Sequence, residues 1–172
     1  MRKLTLTAVL AAGLIAAVPL AGCSKTDTAT KAADAAKVVT MTDQWVKAAD
    51  SGMTGVFGTL NNSGKDEVTV VSATSPAAAR TELHEVAGPP GAMTMRPKEG
   101  GFTIPAGGSH ALAPGADHLM LMDLKAPLAV GSDVEITLTF KDGSTLPFTA
   151  QVRAFPGADE NYQPGPHAGQ HG

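Results

Sequence analysis

The stretch His118-Leu119-Met120-Leu121-Met122, continuing into Asp123-Leu124, decides how this chain is read. Alternate side chains of a β-strand point to the same face, roughly 6.6 Å apart. A strand here presents His118, Met120 and Met122 on one face and Leu119 and Leu121 on the other. One face suits a hydrophobic core; the other carries soft metal-binding groups.

Working outward, the same chemistry recurs upstream. Met93-Thr94-Met95-Arg96-Pro97 places two methionines at alternate positions, and Leu83-His84-Glu85 carries a further histidine. Four of the seven methionines and three of the five histidines fall between Leu83 and Met122. The single cysteine, Cys23, lies outside this stretch. Thioether sulfur is soft, uncharged and aprotic; it suits Cu(I) and suits Zn, Mg or Ca poorly. Histidine with methionine, and no thiolate, therefore points to monovalent copper, provided that strands carrying His84 and Met95 converge on the His118 strand.

The rest of the chain reads as short strands between turn residues. Val38–Val46, Met53–Leu60, Glu67–Ala73, Arg80–Val86, Ala92–Arg96, Phe102–Ile104, Ser109–Leu112 and Thr145–Arg153 are the expected strands, with Asp133–Phe140 alternating most cleanly. Asn61-Asn62-Ser63-Gly64, Gly88-Pro89-Pro90-Gly91, Pro114-Gly115 and Lys141-Asp142-Gly143-Ser144 are turn clusters. No long helical periodicity and no internal repeat interrupts them. An all-β sandwich or barrel follows.

At these residues a resemblance enters. The order Leu83-His84, Met95-Arg96-Pro97, Gly100-Gly101, Ile104-Pro105-Ala106-Gly107-Gly108, Pro114-Gly115 and His118-Leu119-Met120 resembles the PCu(A)C family of extracytoplasmic copper chaperones. Ten residues separate His84 from Met95, as in the family's pattern. Met95 to His118 is one residue longer than the usual spacing, and the turn at Pro114-Gly115-Ala116 can take up the excess. The resemblance implies a cupredoxin-like Greek-key β-sandwich. It also implies a Cu(I) site made by His84, Met95, His118 and Met120. Met93 and Met122 are the nearest competitors, although a methionine on an apolar strand is more often core packing. The resemblance further implies delivery to the copper centre of cytochrome c oxidase, in concert with a Sco-type copper protein. A copper-sequestering or resistance lipoprotein with no dedicated acceptor is the alternative.

Flanking segments set the compartment. Met1-Arg2-Lys3 is basic, and Leu4 to Leu20 is apolar and Ala-rich, as in a secretory signal. Leu20-Ala21-Gly22-Cys23 is a lipobox, so residues 1–22 read as a lipoprotein signal peptide and Cys23 as the lipidated residue, anchored to the membrane outside the cytoplasm. Residues 23–37 read as a flexible tether, with a short Ala-rich helix as the other possibility. Residues 38–155 form the expected domain. Residues 156–172 are rich in Pro and Gly and read as a disordered tail, whose His167 and His171 offer weak Cu(II) binding.

Other residues near the motif read as bystanders. His110 is expected in solvent, with Arg96 and Lys98 on the surface. Glu85 and Asp117 adjoin candidate ligands, but strand neighbours face opposite ways, so both read as solvated charges. A blue-copper electron carrier needs a cysteine beside its histidines, and none is near. No nucleophile elbow or phosphate loop appears, so an enzyme is not expected. A net charge of −3 with no basic stripe argues against nucleic acid.

Overall fold

The structure, a computed structural model, describes residues 34–89, 92–158 and 161–163. Its strands are β1 (Val39–Lys47), β2 (Met53–Asn62), β3 (Val68–Thr74), β4 (Ala78–Ala87), β5 (Thr94–Pro97), β6 (Phe102–Ile104), β7 (Ser109–Leu112), β8 (His118–Leu124), β9 (Asp133–Phe140), β10 (Thr145–Arg153) and β11 (Asn161–Tyr162). Among the described residues, helix is confined to α1 (Ala35–Val38).

In β9 the alternation becomes architecture directly. Val134, Ile136, Leu138 and Phe140 are buried, and the residues between them face outward. The chain reverses at Asp142-Gly143, where Gly143 adopts φ 83°, a conformation that costs glycine little and a residue with a Cβ more. It then returns antiparallel as β10.

Seven strands make one closed wall in the order β4-β8-β2-β1-β10-β9-β3, and the pairing of Ala73 with Thr81 joins β3 back to β4. The result is a cupredoxin-like β-sandwich whose strands close into a barrel. Its interior is filled by residues such as Val56, Leu60, Phe102, Leu119, Leu121, Ile136 and Phe140. Outside the ring, β6 extends β3, β7 pairs with β2, and β5 then β11 extend the sheet beyond β4. A bulge in β1, where Asp43 has φ 53°, inserts one extra residue opposite β2 between Thr42 and Trp45. The bulge reverses the strand's alternation. Val39 and Val46 both face the core as a result, and Trp45 pairs with Phe57 on the outer side.

Both ends of the expected domain shift. Ala35–Val38 is not tether but a helical turn docked on the β9–β10 hairpin: the Ala35 amide donates to Asp142 Oδ2 at 2.8 Å and the Ala36 amide to Ser144 Oγ at 3.1 Å. At the other end, order does not stop at Phe155. Asn161 and Tyr162 run parallel to Thr94 and Met95, and the Gln163 amide donates to the Met95 carbonyl at 2.9 Å. Composition missed this because one aromatic ring with a surface to cover outweighs several flexible neighbours. The expected signal peptide, Cys23, His167 and His171 lie outside the described residues.

Candidate metal centre

Directly opposed residues of antiparallel strands share a face. Between β4 and β8, Leu83 pairs with Leu119 and Thr81 with Leu121, and these leucines face the barrel interior. The intervening pairs face outward: His84 with His118, Glu82 with Met120 and Arg80 with Met122. On one flank β5 sets Met95 opposite Val86, on the His84 side of β4. On the other, β2 sets Gly55 opposite Met120 and Met53 opposite Met122. The four residues His84, Met95, His118 and Met120 thus meet on the outer wall of the barrel rather than in its core.

That wall is nonetheless dry. His84 is fully buried, and His118, Met95 and Met120 are each no more than 4% exposed. Aromatic rings supply the cover. Tyr162 stacks on His84 with ring centres 5.3 Å apart and planes 4° from parallel. Phe57 lies 5.9 Å from the His118 ring, and Trp45 backs Phe57 at 4.6 Å. The two histidine rings stand edge to face at 5.6 Å.

Hydrogen bonds fix how each imidazole presents its lone pair. His118 Nδ1 lies 2.8 Å from the Ala116 carbonyl, which can only accept. Nδ1 therefore carries the proton, and Nε2 is the nitrogen with ligand chemistry. His84 is held the opposite way round. Its Nε2 lies 2.8 Å from Glu82 Oε2. Burial by itself would raise the Glu82 carboxyl above its ordinary range. Hydrogen bonds from His84 and Arg80 outweigh burial and hold it below that range. The ionised carboxylate accepts, so His84 Nε2 donates and Nδ1 bears the lone pair. That Nδ1 is buried and has no hydrogen-bond partner. Burial also depresses the proton affinity of His84, against the pull of Glu82. A neutral ring with a buried, unsatisfied lone pair is poised for a metal, and the carboxylate behind it is the usual orienting partner.

Beside these rings is a cavity of about 10 Å³, lined by Gly55, Phe57, Met95, His118 and Met120 among others. This is about the size of a single water or ion. Gly55 lets the Phe57 ring close over it: a Cβ at this position would sit 2.5 Å from Phe57 Cζ. Among the described residues no three His, Cys, Asp or Glu side chains group as a metal site. Two imidazoles and two thioethers stand together here, and that combination is the chemistry of a soft monovalent ion.

Residues 39–152 match the family described as "Putative lipoprotein LpqE-like". The chain belongs to the LpqE-like lipoprotein family. It is 46% identical over 164 residues to "Putative lipoprotein Lxx21020" of Leifsonia xyli subsp. xyli (strain CTCB07), a match covering 91% of this chain and 97% of that one. Among solved structures it is similar to CuI-DR1885 from Deinococcus radiodurans, with 34% identity and a TM-score of 0.53, covering 75% of this chain and 87% of that one. The copper-bound PCuAC domain from PmoF2 matches at 20% identity and TM-score 0.56, covering 68% and 93%. The PCu(A)C likeness and the cupredoxin-like fold expected from the motifs are both present.

Other residues of this LpqE-like chain sort clearly. Met122 is buried against Met95 and Met120, whereas Met93 is exposed. Arg96 and Lys98 both bind Glu85, and Lys98 also reaches Asp117 at 3.4 Å. The two carboxylates next to the histidines therefore serve an ion-pair network on the opposite face. His110 departs from expectation: it stacks on Phe102 at 5.3 Å, and its Nε2 lies 3.0 Å from Asp117 Oδ2, so it is a half-buried packing residue. Two contributors had not been singled out. Glu82 was legible in principle, since it stands two residues before His84 on the same strand face. Tyr162 was not, because only the fold returns the C-terminal segment to β5.

Proposed function

We propose that this protein is an extracytoplasmic copper chaperone that takes Cu(I) as cargo on His84 Nδ1, His118 Nε2, and the sulfurs of Met95 and Met120. The observation that carries the reading is the outward register of β4 against β8. It opposes His84 to His118, with opposite ring nitrogens protonated, beside two buried thioethers. Burying charge without compensation is costly, and the Born term scales with charge squared, so an aromatic-walled pocket of neutral ligands favours Cu(I) over Cu(II). The Glu82 carboxylate touches the site through the His84 ring. Neutral ligands release their ion without breaking a thiolate bond, as a carrier requires. Copper in the names of similar structures supports this cargo.

Lipidation at Cys23 would tether the chain to the membrane, in keeping with its family and relative being named lipoproteins. By the PCu(A)C likeness, the acceptor is the copper centre of cytochrome c oxidase, with a Sco-type protein as co-worker. The test is a Cu(I) titration of the full chain in detergent against a competing chelator, with His118→Ala alongside, followed by incubation of the loaded protein with a purified apo oxidase copper domain. One tight equivalent lost in the variant, and copper passing to the domain, is the expected result. Tight binding with full retention would make the protein a store, and binding no tighter than the chelator would overturn the copper reading.

A further inference from the structure

A second, larger cleft reaches the same two thioethers from outside. It has a volume of about 350 Å³ and is lined by Lys47, Ala49, Met53, Thr54, Gly55, Met95, Met120 and Ala158. Met53 is 41% exposed, on a wall whose neighbouring methionines Met95, Met120 and Met122 are buried. It is the first residue of β2, directly opposite Met122, and so shares the outward face with Met120 and His118. Gly55 separates Met53 from Phe57 along that face, and the tip of the Phe57 ring packs over it. An exposed thioether thus shares one cleft with two buried ones.

Resting on the copper reading above, we infer that Met53 is a transient Cu(I) ligand, the outer sulfur through which the ion reaches and leaves Met95 and Met120. A soft ion that sheds water at the cleft mouth meets a thioether there, and stepwise sulfur exchange spares it a bare passage across apolar surface. The cleft is a poor resting place for a second ion, because Met53 offers it a single water-exposed sulfur while Met95 and Met120 also line the inner cavity. Met53 therefore sets the rate of copper movement and leaves the equilibrium at the inner site unchanged.

The experiment compares the full chain in detergent with Met53→Leu and Met53→Ala. It measures equilibrium Cu(I) affinity and, by stopped flow, the rate of transfer to a chromophoric Cu(I) chelator. Both variants are expected to keep affinity within about twofold of wild type and to exchange copper about threefold or more slowly. Equal exchange rates in all three proteins would overturn the route. A parallel loss of affinity would overturn it too, because Met53 would then be a resident ligand. If the unaltered protein binds no Cu(I), it is the copper reading that fails, an outcome distinct from both.

Discussion

Glu82 offers the sharpest test of how the metal centre is built. Its carboxylate accepts from His84 Nε2 at 2.8 Å, from Arg80 Nε at 2.8 Å and from the Tyr162 hydroxyl at 3.3 Å. Glu82→Ala removes the group that fixes which His84 nitrogen bears the proton. Loss of such an orienting partner lowers metal affinity by about 10- to 100-fold, or about 1.4–2.7 kcal/mol. Glu82→Gln keeps an acceptor oxygen of similar reach, and exchanging a charge-assisted hydrogen bond for a neutral one should cost less than about tenfold. Copper affinity should therefore rank wild type, then Gln, then Ala, in competition titrations against a chelator. Apo stability should follow the same order. The alanine variant leaves a buried N–H of His84 without its acceptor, at about 1–3 kcal/mol in urea unfolding. An alanine variant that is destabilised yet binds Cu(I) within about twofold of wild type would refute the reasoning, because His84 Nδ1 could not then be a donor oriented through Glu82.

Three further outcomes follow from the same geometry. Met120→Leu roughly conserves volume, so unfolding should cost less than about 1.5 kcal/mol, while chelator competition should show a sharp loss of Cu(I) affinity; unchanged binding would move the ligand role to Met122. The folded state resists protonating His84, whose proton affinity burial holds below the ordinary value of 6.5. As pH falls below about 6.5 the unfolded chain binds the extra proton, so apo stability should decline on acidification, by at most about 1.4 kcal/mol per pH unit for this group. Melting curves between about pH 7 and pH 5 check this, and a rise in melting temperature would contradict it. Gly55→Ala puts a methyl 2.5 Å from Phe57 Cζ; displacing that buried ring should cost about 1–3 kcal/mol and change the fluorescence of Trp45, the only tryptophan, which packs on it at 4.6 Å.

The strands were legible because period-two alternation is local. Asp133–Phe140 and His118–Leu124 begin and end where the residue pattern says they should. That these histidines and methionines could serve a soft ion was legible because donor chemistry belongs to residue type. Harder to read were features that depend on distant partners. His110 looked exposed because nothing nearby in the chain announces Phe102 and Asp117 as its neighbours. Tyr162 was assigned to an unstructured tail on the strength of the prolines and glycines around it, yet its ring closes the site by stacking on His84.

Residue order alone thus settled an all-β chain with His118 and Met120 on one strand face, and with donors soft enough for Cu(I). It could not say whether that face looked into the barrel or out of it. Only closure of seven strands into a ring decides this, since Leu119 and Leu121 fill the interior and turn His118 and Met120 outward. Register across β4 and β8 is likewise a long-range property. A slip of one residue would send His84 to the core face and bring Leu83 out beside Met95 and Met120. Burial of the outer wall under Phe57 and Tyr162, and the choice of lone pair on each imidazole, are set by Gly55, Ala116 and Glu82, groups that meet these side chains only after the chain has folded.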